Sequence, residues 1–124
     1  MRFLFTTILA GACTLASPVA EAQNWVGLLK NTPAEYFDDE DLRIFLDTGA
    51  KAVASDSKGE TFDWSNPTTG SGGSFEAMGA APSVQGLPCK RVRLTVYAKQ
   101  RAAKSSQLTV CHTTEGRWKI AGVR

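Results

Sequence analysis

Apolar and polar positions follow two different periods along this chain. Between Asp38 and Ser55, Leu42, Phe45, Leu46, Gly49 and Val53 recur at i, i+3, i+4, i+7 and i+11. That spacing puts them on one face of a helix. Asp38 or Asp39 can cap the free N–H groups of the first turn. The run Asp38-Asp39-Glu40-Asp41 sits at the positive end of the helix dipole and Lys51 toward the negative end. Consecutive carboxylates on a helix diverge, so the acidic start reads as helix-end stabilisation rather than as a cation site. Gly49 has no side chain and lets another element come close. Lys58-Gly59 closes the segment.

From Glu60 onward the period becomes two, with Gly and Pro as punctuation. Candidate strands cover 61–64, 74–78, 89–98, 105–112 and 117–123, with loops at 65–73 and 79–88. One helix followed by a run of strands predicts an α+β fold. Its main N-terminal helix packs on an antiparallel sheet of four to five strands, with one disulfide. In the third strand Val92, Leu94, Val96 and Ala98 alternate with Arg91, Arg93, Thr95 and Tyr97. In the fourth, Leu108 and Val110 alternate with Gln107, Thr109 and Cys111. A hairpin turning near Gln100 sets Cys89 opposite Cys111, Val92 opposite Leu108 and Arg93 opposite Gln107. Directly opposed cysteines can bridge at a non-hydrogen-bonded pair. The bridge then lies on the basic face, away from the helix. Either a loop covers part of that face or a bulge shifts the register.

Residues 1–22 read as a signal peptide. Arg2 gives the positive start, and the apolar run Phe3 to Leu15 is too short to span a bilayer as a helix. Pro18 breaks it, and Ala20-Glu21-Ala22 supplies a small-x-small cleavage pattern before Gln23. Leu9-Ala10-Gly11-Ala12-Cys13 competes as a loose lipoprotein box, with lipidation at Cys13; membrane contact is expected only in that case. Residues 23–36 form an N-terminal arm with a short helix, where Trp25, Leu28 and Leu29 recur at helical spacing. Residues 37–124 form the main domain. Cys89 and Cys111 remain in the mature chain, and in an oxidising compartment two cysteines read as one disulfide, with two free buried thiols as the alternative. Two sulfurs and the lone histidine, His112, fall short of four ligands, so no metal is expected, and no cofactor.

Charge changes the picture more than composition does. Residues 23–63 hold four basic and nine acidic side chains, and residues 64–124 hold nine basic and two acidic. Lys90, Arg91, Arg93, Lys99, Arg101, Lys104, Arg117 and Lys119 make the sheet region basic. Arg91, Arg93, Arg101 and Lys104 are a candidate surface for an anionic envelope polymer such as lipopolysaccharide. The other reading is a solvated face that complements the acidic helix of the same molecule. Only Tyr97 and Trp118 interleave aromatics with the basic residues, so no nucleic-acid partner is expected. No catalytic residues are expected either. An oxidised Cys111 beside His112 is no thiolate, and Asp63 and Glu76 lack matched partners.

Trp64-Ser65-Asn66-Pro67, then Gly70 and Gly73, Cys89-Lys90-Arg91, Cys111 and Gly116-Arg117-Trp118-Lys119-Ile120 form an ordered string. This string resembles the C-terminal domain of the rickettsial-type 17-kDa surface antigens of proteobacterial envelopes. The likeness covers about residues 60–122. The acidic helix start with Leu42-Arg43-Ile44-Phe45 is similar to the segment that precedes the domain in many members. Between Gln23 and Phe37 the chain lacks the glycine-zipper repeat of the best-known members. The resemblance implies an exported protein of the periplasm or outer membrane. It implies a non-catalytic structural or interaction module whose partner is an envelope protein or surface polymer. Trp64, Asn66, Pro67, Gly70, Gly73, Gly116 and Trp118 are then scaffold. Contact is expected through the Ser65–Gly73 loop and the basic sheet face.

Overall fold

A computed structural model describes residues 30–124. The leader, Cys13 and the helical spacing of Trp25, Leu28 and Leu29 lie outside the described residues. The chain enters through a 3-10 helix, Pro33–Tyr36, capped by the Thr32 hydroxyl, which accepts from the Ala34 N–H at 3.2 Å. Helix α1, Asp39–Ala54, follows. Five strands complete the fold: β1 Thr61–Asn66, β2 Ser71–Val84, β3 Leu87–Tyr97, β4 Lys104–His112 and β5 Trp118–Val123. They form one antiparallel meander in the order β1-β2-β3-β4-β5. The fold is α+β, with one main helix laid across β1 and β2 and the edge of β3.

Helix α1 starts with a reciprocal capping box. Asp38 Oδ1 accepts from the Asp41 N–H at 2.8 Å, and Asp41 Oδ2 accepts from the Asp38 N–H at 3.0 Å. This satisfies two of the four orphan donors of a helix start. The buried face is rotated from the one the sequence periodicity predicts. Phe45, Gly49 and Val53 are buried as expected, but Asp41, Thr48 and Ala52 are buried beside them, and Leu42 and Leu46 are only half-buried. Phe75 explains the role of Gly49: a Cβ at residue 49 would sit 3.1 Å from Phe75 Cζ. The helix and the ring of β2 therefore meet as closely as the backbone permits. Phe37, Phe45, Trp64 and Phe75 make a tilted and edge-on ring cluster with centroids 5.1–6.1 Å apart, and Val92, Leu94, Val96, Leu108 and Val110 extend it across the sheet.

The β3–β4 register is the one the alternation predicts. Cys89 pairs with Cys111, Val92 with Leu108 and Arg93 with Gln107, and the chain turns at Gln100 with φ 61°. Cys89 and Cys111 form the disulfide with Cα atoms 4.0 Å apart, near the close spacing of a non-hydrogen-bonded pair. The bridge lies on the face opposite α1, and no bulge interrupts its own ladder. It is nonetheless buried, within a row that runs Ala81–Cys89–Cys111–Lys119 across β2 to β5. The register shift falls next door, between Ala77 and Ala80 of β2, where Gly79 has φ 90°.

Two expected loops turn out to be ladder. The 79–88 segment carries β2 on to Val84 through a second register shift and turns tightly at Gln85-Gly86, with φ 51° and 75°. Positive φ at both central residues is the twist-compatible hairpin turn, which lets a Pro- and Gly-containing stretch remain paired. The 65–73 segment is likewise shorter than predicted. Ser65 and Asn66 end β1, Ser71, Gly72 and Gly73 begin β2, and only residues 67–70 turn.

Candidate functional site

Two faces of the sheet have different chemistry. The inner face carries the core and α1. The outer face, set by the other phase of the same alternation, carries Thr61, Asp63 and Ser65 on β1, Ser74 and Glu76 on β2, and Arg91, Arg93, Thr95 and Tyr97 on β3. Ser105, Gln107 and Thr109 on β4 and Lys119 on β5 complete it. Apart from the buried disulfide, every side chain named here is polar or amphipathic.

The four residues of the candidate basic surface do not share that face. Arg91 and Arg93 lie on it, and Arg93 Nη1 approaches Glu76 Oε2 at 3.5 Å. Arg101 lies in the β3–β4 turn and stacks its guanidinium 3.7 Å from the ring centroid of Tyr36. Lys104 pairs opposite Val96, in the inner-face phase, and its Nζ reaches the Asn31 carbonyl at 3.5 Å. The outer basic group is therefore Arg91, Arg93 and Lys119, all exposed. No ion pair among the described residues involves Arg91 or Lys119.

Lys90 stands apart from its basic neighbours. Its phase points it to the inner face, where Nζ donates to the Val53 and Ser55 carbonyls at 3.1 and 3.2 Å and to Asp56 Oδ1 at 2.8 Å. It caps the C-terminus of α1 from a neighbouring strand, where the helix dipole is negative. The Lys90 ammonium also lies 5.2 Å from the Trp118 ring centroid, and the His112 ring packs against the same indole at 4.8 Å. Hydrogen bonding to Lys90 holds the Asp56 carboxyl below its usual range.

Three of the scaffold residues, Asn66, Pro67 and Gly70, form a turn beside one buried carboxylate that the sequence places only at the helix end. Asp41 is fully buried. Its Oδ1 accepts from Asn66 Nδ2 and from Thr69 Oγ1, both at 2.7 Å, while Oδ2 serves the cap. Thr69 and Gly70 donate their N–H groups to the Asn66 carbonyl at 3.2 and 2.9 Å, closing the Pro67–Gly70 turn, and Gly70 takes φ 76°. Burial pushes the Asp41 carboxyl up. The hydrogen bonds from Thr69, the Asp38 N–H, Asn66 and Ser71 together outweigh it and hold the group below its usual value. The side chain thus ties the start of α1 to the β1–β2 turn. Gly73 is needed for a different reason: a Cβ there would collide with the Thr95 carbonyl of β3. Trp64, 6% exposed, packs its indole in the core, and its Nε1 is the buried side-chain polar atom among the described residues that has no hydrogen-bond partner. Gly116, φ 85°, closes the Thr113–Gly116 turn before Trp118, with its N–H donating to the Thr113 carbonyl at 3.0 Å.

Comparison with protein-family models, with curated proteins and with solved structures gives no match.

Proposed function

We propose that the chain is a non-catalytic, disulfide-stapled interaction module of a bacterial cell envelope, exported to the periplasm or outer membrane. The resemblance of its Trp64-to-Ile120 string to rickettsial-type surface antigens supports that address. The observation that carries the interaction role is the outer sheet face. It is broad, polar and free of α1, and it is braced from within by the Cys89–Cys111 bridge. A rigid surface presents its contacts with little ordering cost on binding. The Ser65–Gly73 segment contributes less than the sequence suggests, because Ser71, Gly72 and Gly73 are buried strand. The non-catalytic reading rests on the employment of the reactive groups: Cys111 is oxidised and His112 is packed on Trp118.

Cell fractionation and the intact mass of the mature chain test the address. A chain beginning at Gln23, or a diacylated Cys13, is expected; a cytosolic chain with its leader intact refutes it. Cross-linking in the periplasm tests the role. A captured partner that is lost on reversing the charges of Arg91 and Arg93 supports it. Capture unaffected by that change refutes the assigned surface.

A second reading, binding of an anionic envelope polymer, is favoured by Arg91 and Lys119. These lie on the same outer face and form no ion pair among the described residues. Such binding weakens steeply with salt. Binding that is indifferent to salt, or that survives Arg91→Glu with Arg93→Glu, removes this reading.

A further inference from the structure

We propose that the outer face of β1, β2 and β3 holds a binding shelf for an uncharged glycan chain of flat, β-linked pyranose rings. This goes beyond the envelope reading, since it depends neither on the basic end of the face nor on the protein's address. The site is an open hollow of about 430 Å³ whose lining includes Asp63, Trp64, Ser65, Ser74, Thr95 and Tyr97.

Strand register builds it from two adjacent rows. Tyr97, Gly72 and Ser65 lie side by side across β3, β2 and β1, and Thr95, Ser74 and Asp63 form the next row on the same face. Gly72 makes the first row work, because a Cβ there would collide with the Tyr97 hydroxyl. The phenol end of Tyr97 therefore lies down over the backbone, and 37% of the residue remains exposed. A ring so seated offers an apolar platform for the C–H face of a sugar and a hydroxyl at its edge.

The second row supplies polar groups that line the same hollow. Asp63 is exposed, forms no ion pair among the described residues, and can accept two hydroxyl donors through its carboxylate. Ser65 and Ser74 add hydroxyls, while the Thr95 hydroxyl is already shared with Ser105 Oγ at 2.8 Å. An exposed ring edged by hydroxyls and a carboxylate matches the alternating C–H and O–H surface of a sugar. Charge selects among glycans: Asp63 opposes phosphate and carboxylate groups, and the neighbouring Arg93 is engaged by Glu76. Shape selects as well. From β1 to β3 is two strand spacings, roughly 10 Å, enough for two linked rings. The open floor suits an extended β-linked ribbon better than a curled α-linked chain.

The test is titration of the protein with N-acetylchitotetraose, followed by amide-resolved NMR. Saturable shifts confined to the β1–β3 outer face are expected, with Asp63, Ser74 and Tyr97 among them and no dependence on salt. Asp63→Asn and Tyr97→Ala each weaken binding about tenfold, the effect of one lost stacking or charge-assisted contact. Tyr97→Phe, which keeps the ring, stays within about twofold of wild type. If Tyr97→Ala loses its native spectrum, Asp63→Asn with an unchanged spectrum decides. No shifts at about 10 mM ligand, shifts elsewhere, or equal affinity in Asp63→Asn overturns the proposal. So does tighter binding of maltotetraose or of a sulfated tetrasaccharide at the same residues. Salt-insensitive binding of the neutral probe leaves the anionic-polymer reading to stand or fall on its own.

Discussion

Replacing Asp41 perturbs the fold at the point where its two halves are tied together. In Asp41→Ala the Asn66 amide and the Thr69 hydroxyl lose an acceptor at 2.7 Å, and the Asp38 N–H loses its cap. Each buried donor left without a partner costs about 1–3 kcal/mol; the cap, which solvent can partly replace, costs about 0.5–1 kcal/mol. The expected loss is therefore about 2.5–7 kcal/mol, a large part of the roughly 5–15 kcal/mol that holds a small domain together. Asp41→Asn keeps one acceptor but turns an amide N–H toward donors, and loses about 2 kcal/mol. The folded-state pKa of Asp41 lies below its usual value of about 3.9. The unfolded chain therefore takes up the proton first as pH falls. Stabilisation from the charge is fully present above the unfolded value, and it is lost as pH drops through the folded one. Urea denaturation of wild type and Asp41→Asn between pH 7 and pH 2 separates this group from the other carboxylates, which both proteins share. The stability gap should be widest at neutral pH and narrow in acid. A variant within about 0.5 kcal/mol of wild type at pH 7, or a gap that does not change with pH, refutes the tie.

Further changes probe the other joints. Reduction, or Cys89→Ala with Cys111→Ala, should cost about 3 kcal/mol for a loop of this length, read as a lowered thermal midpoint. Iodoacetamide should label neither sulfur of the unreduced native protein, and labelling of both refutes the bridge. Lys90→Met removes the strand-borne cap of α1 and should cost about 1–2 kcal/mol in urea denaturation, whereas Lys119→Met, on the outer face, should cost less than about 0.5 kcal/mol; equal effects refute the assignment of Lys90 to the helix end. Gly73→Ala drives a Cβ into the Thr95 carbonyl and should broaden or abolish the native amide spectrum, while Gly59→Ala, where nothing lies within 4 Å, pays only for its φ of 91°. A native-like spectrum for Gly73→Ala refutes the close approach of β2 and β3.

What the sequence made legible was set by how local the governing physics is. The β3–β4 hairpin could be registered from the chain because period two fixes which side chains share a face and two cysteines fix the pairing. The extent of β2 could not, because bulges at Gly79 and a left-handed pair at Gln85-Gly86 keep a Gly- and Pro-bearing stretch hydrogen-bonded across β3. Punctuation residues signal a break in the chain's direction or register, and either outcome satisfies them. Asp41 was legible as a helix-end acid but not as a buried one. Its partners Asn66 and Thr69 are 25 and 28 residues away, and only the packing of α1 on β1 brings them within reach.

The same distinction governs the charged surface. Counting positive charges from Lys90 to Lys119 gathers residues with three different duties. Lys90 belongs to the helix end, Arg101 to Tyr36 of the 3-10 helix and Lys104 to the Asn31 carbonyl ahead of it, while Arg91, Arg93 and Lys119 belong to the open sheet. Strand phase separates Lys90 from Arg91, because neighbouring residues of a strand point to opposite faces. The phase that removes Lys90 from the outer face adds Tyr97, Thr95, Ser74 and Asp63 to it. Net charge thus concealed a face whose basic end lies near the disulfide and whose other end is built from hydroxyls, one aromatic ring and a carboxylate. The two ends therefore present different chemistries along β3.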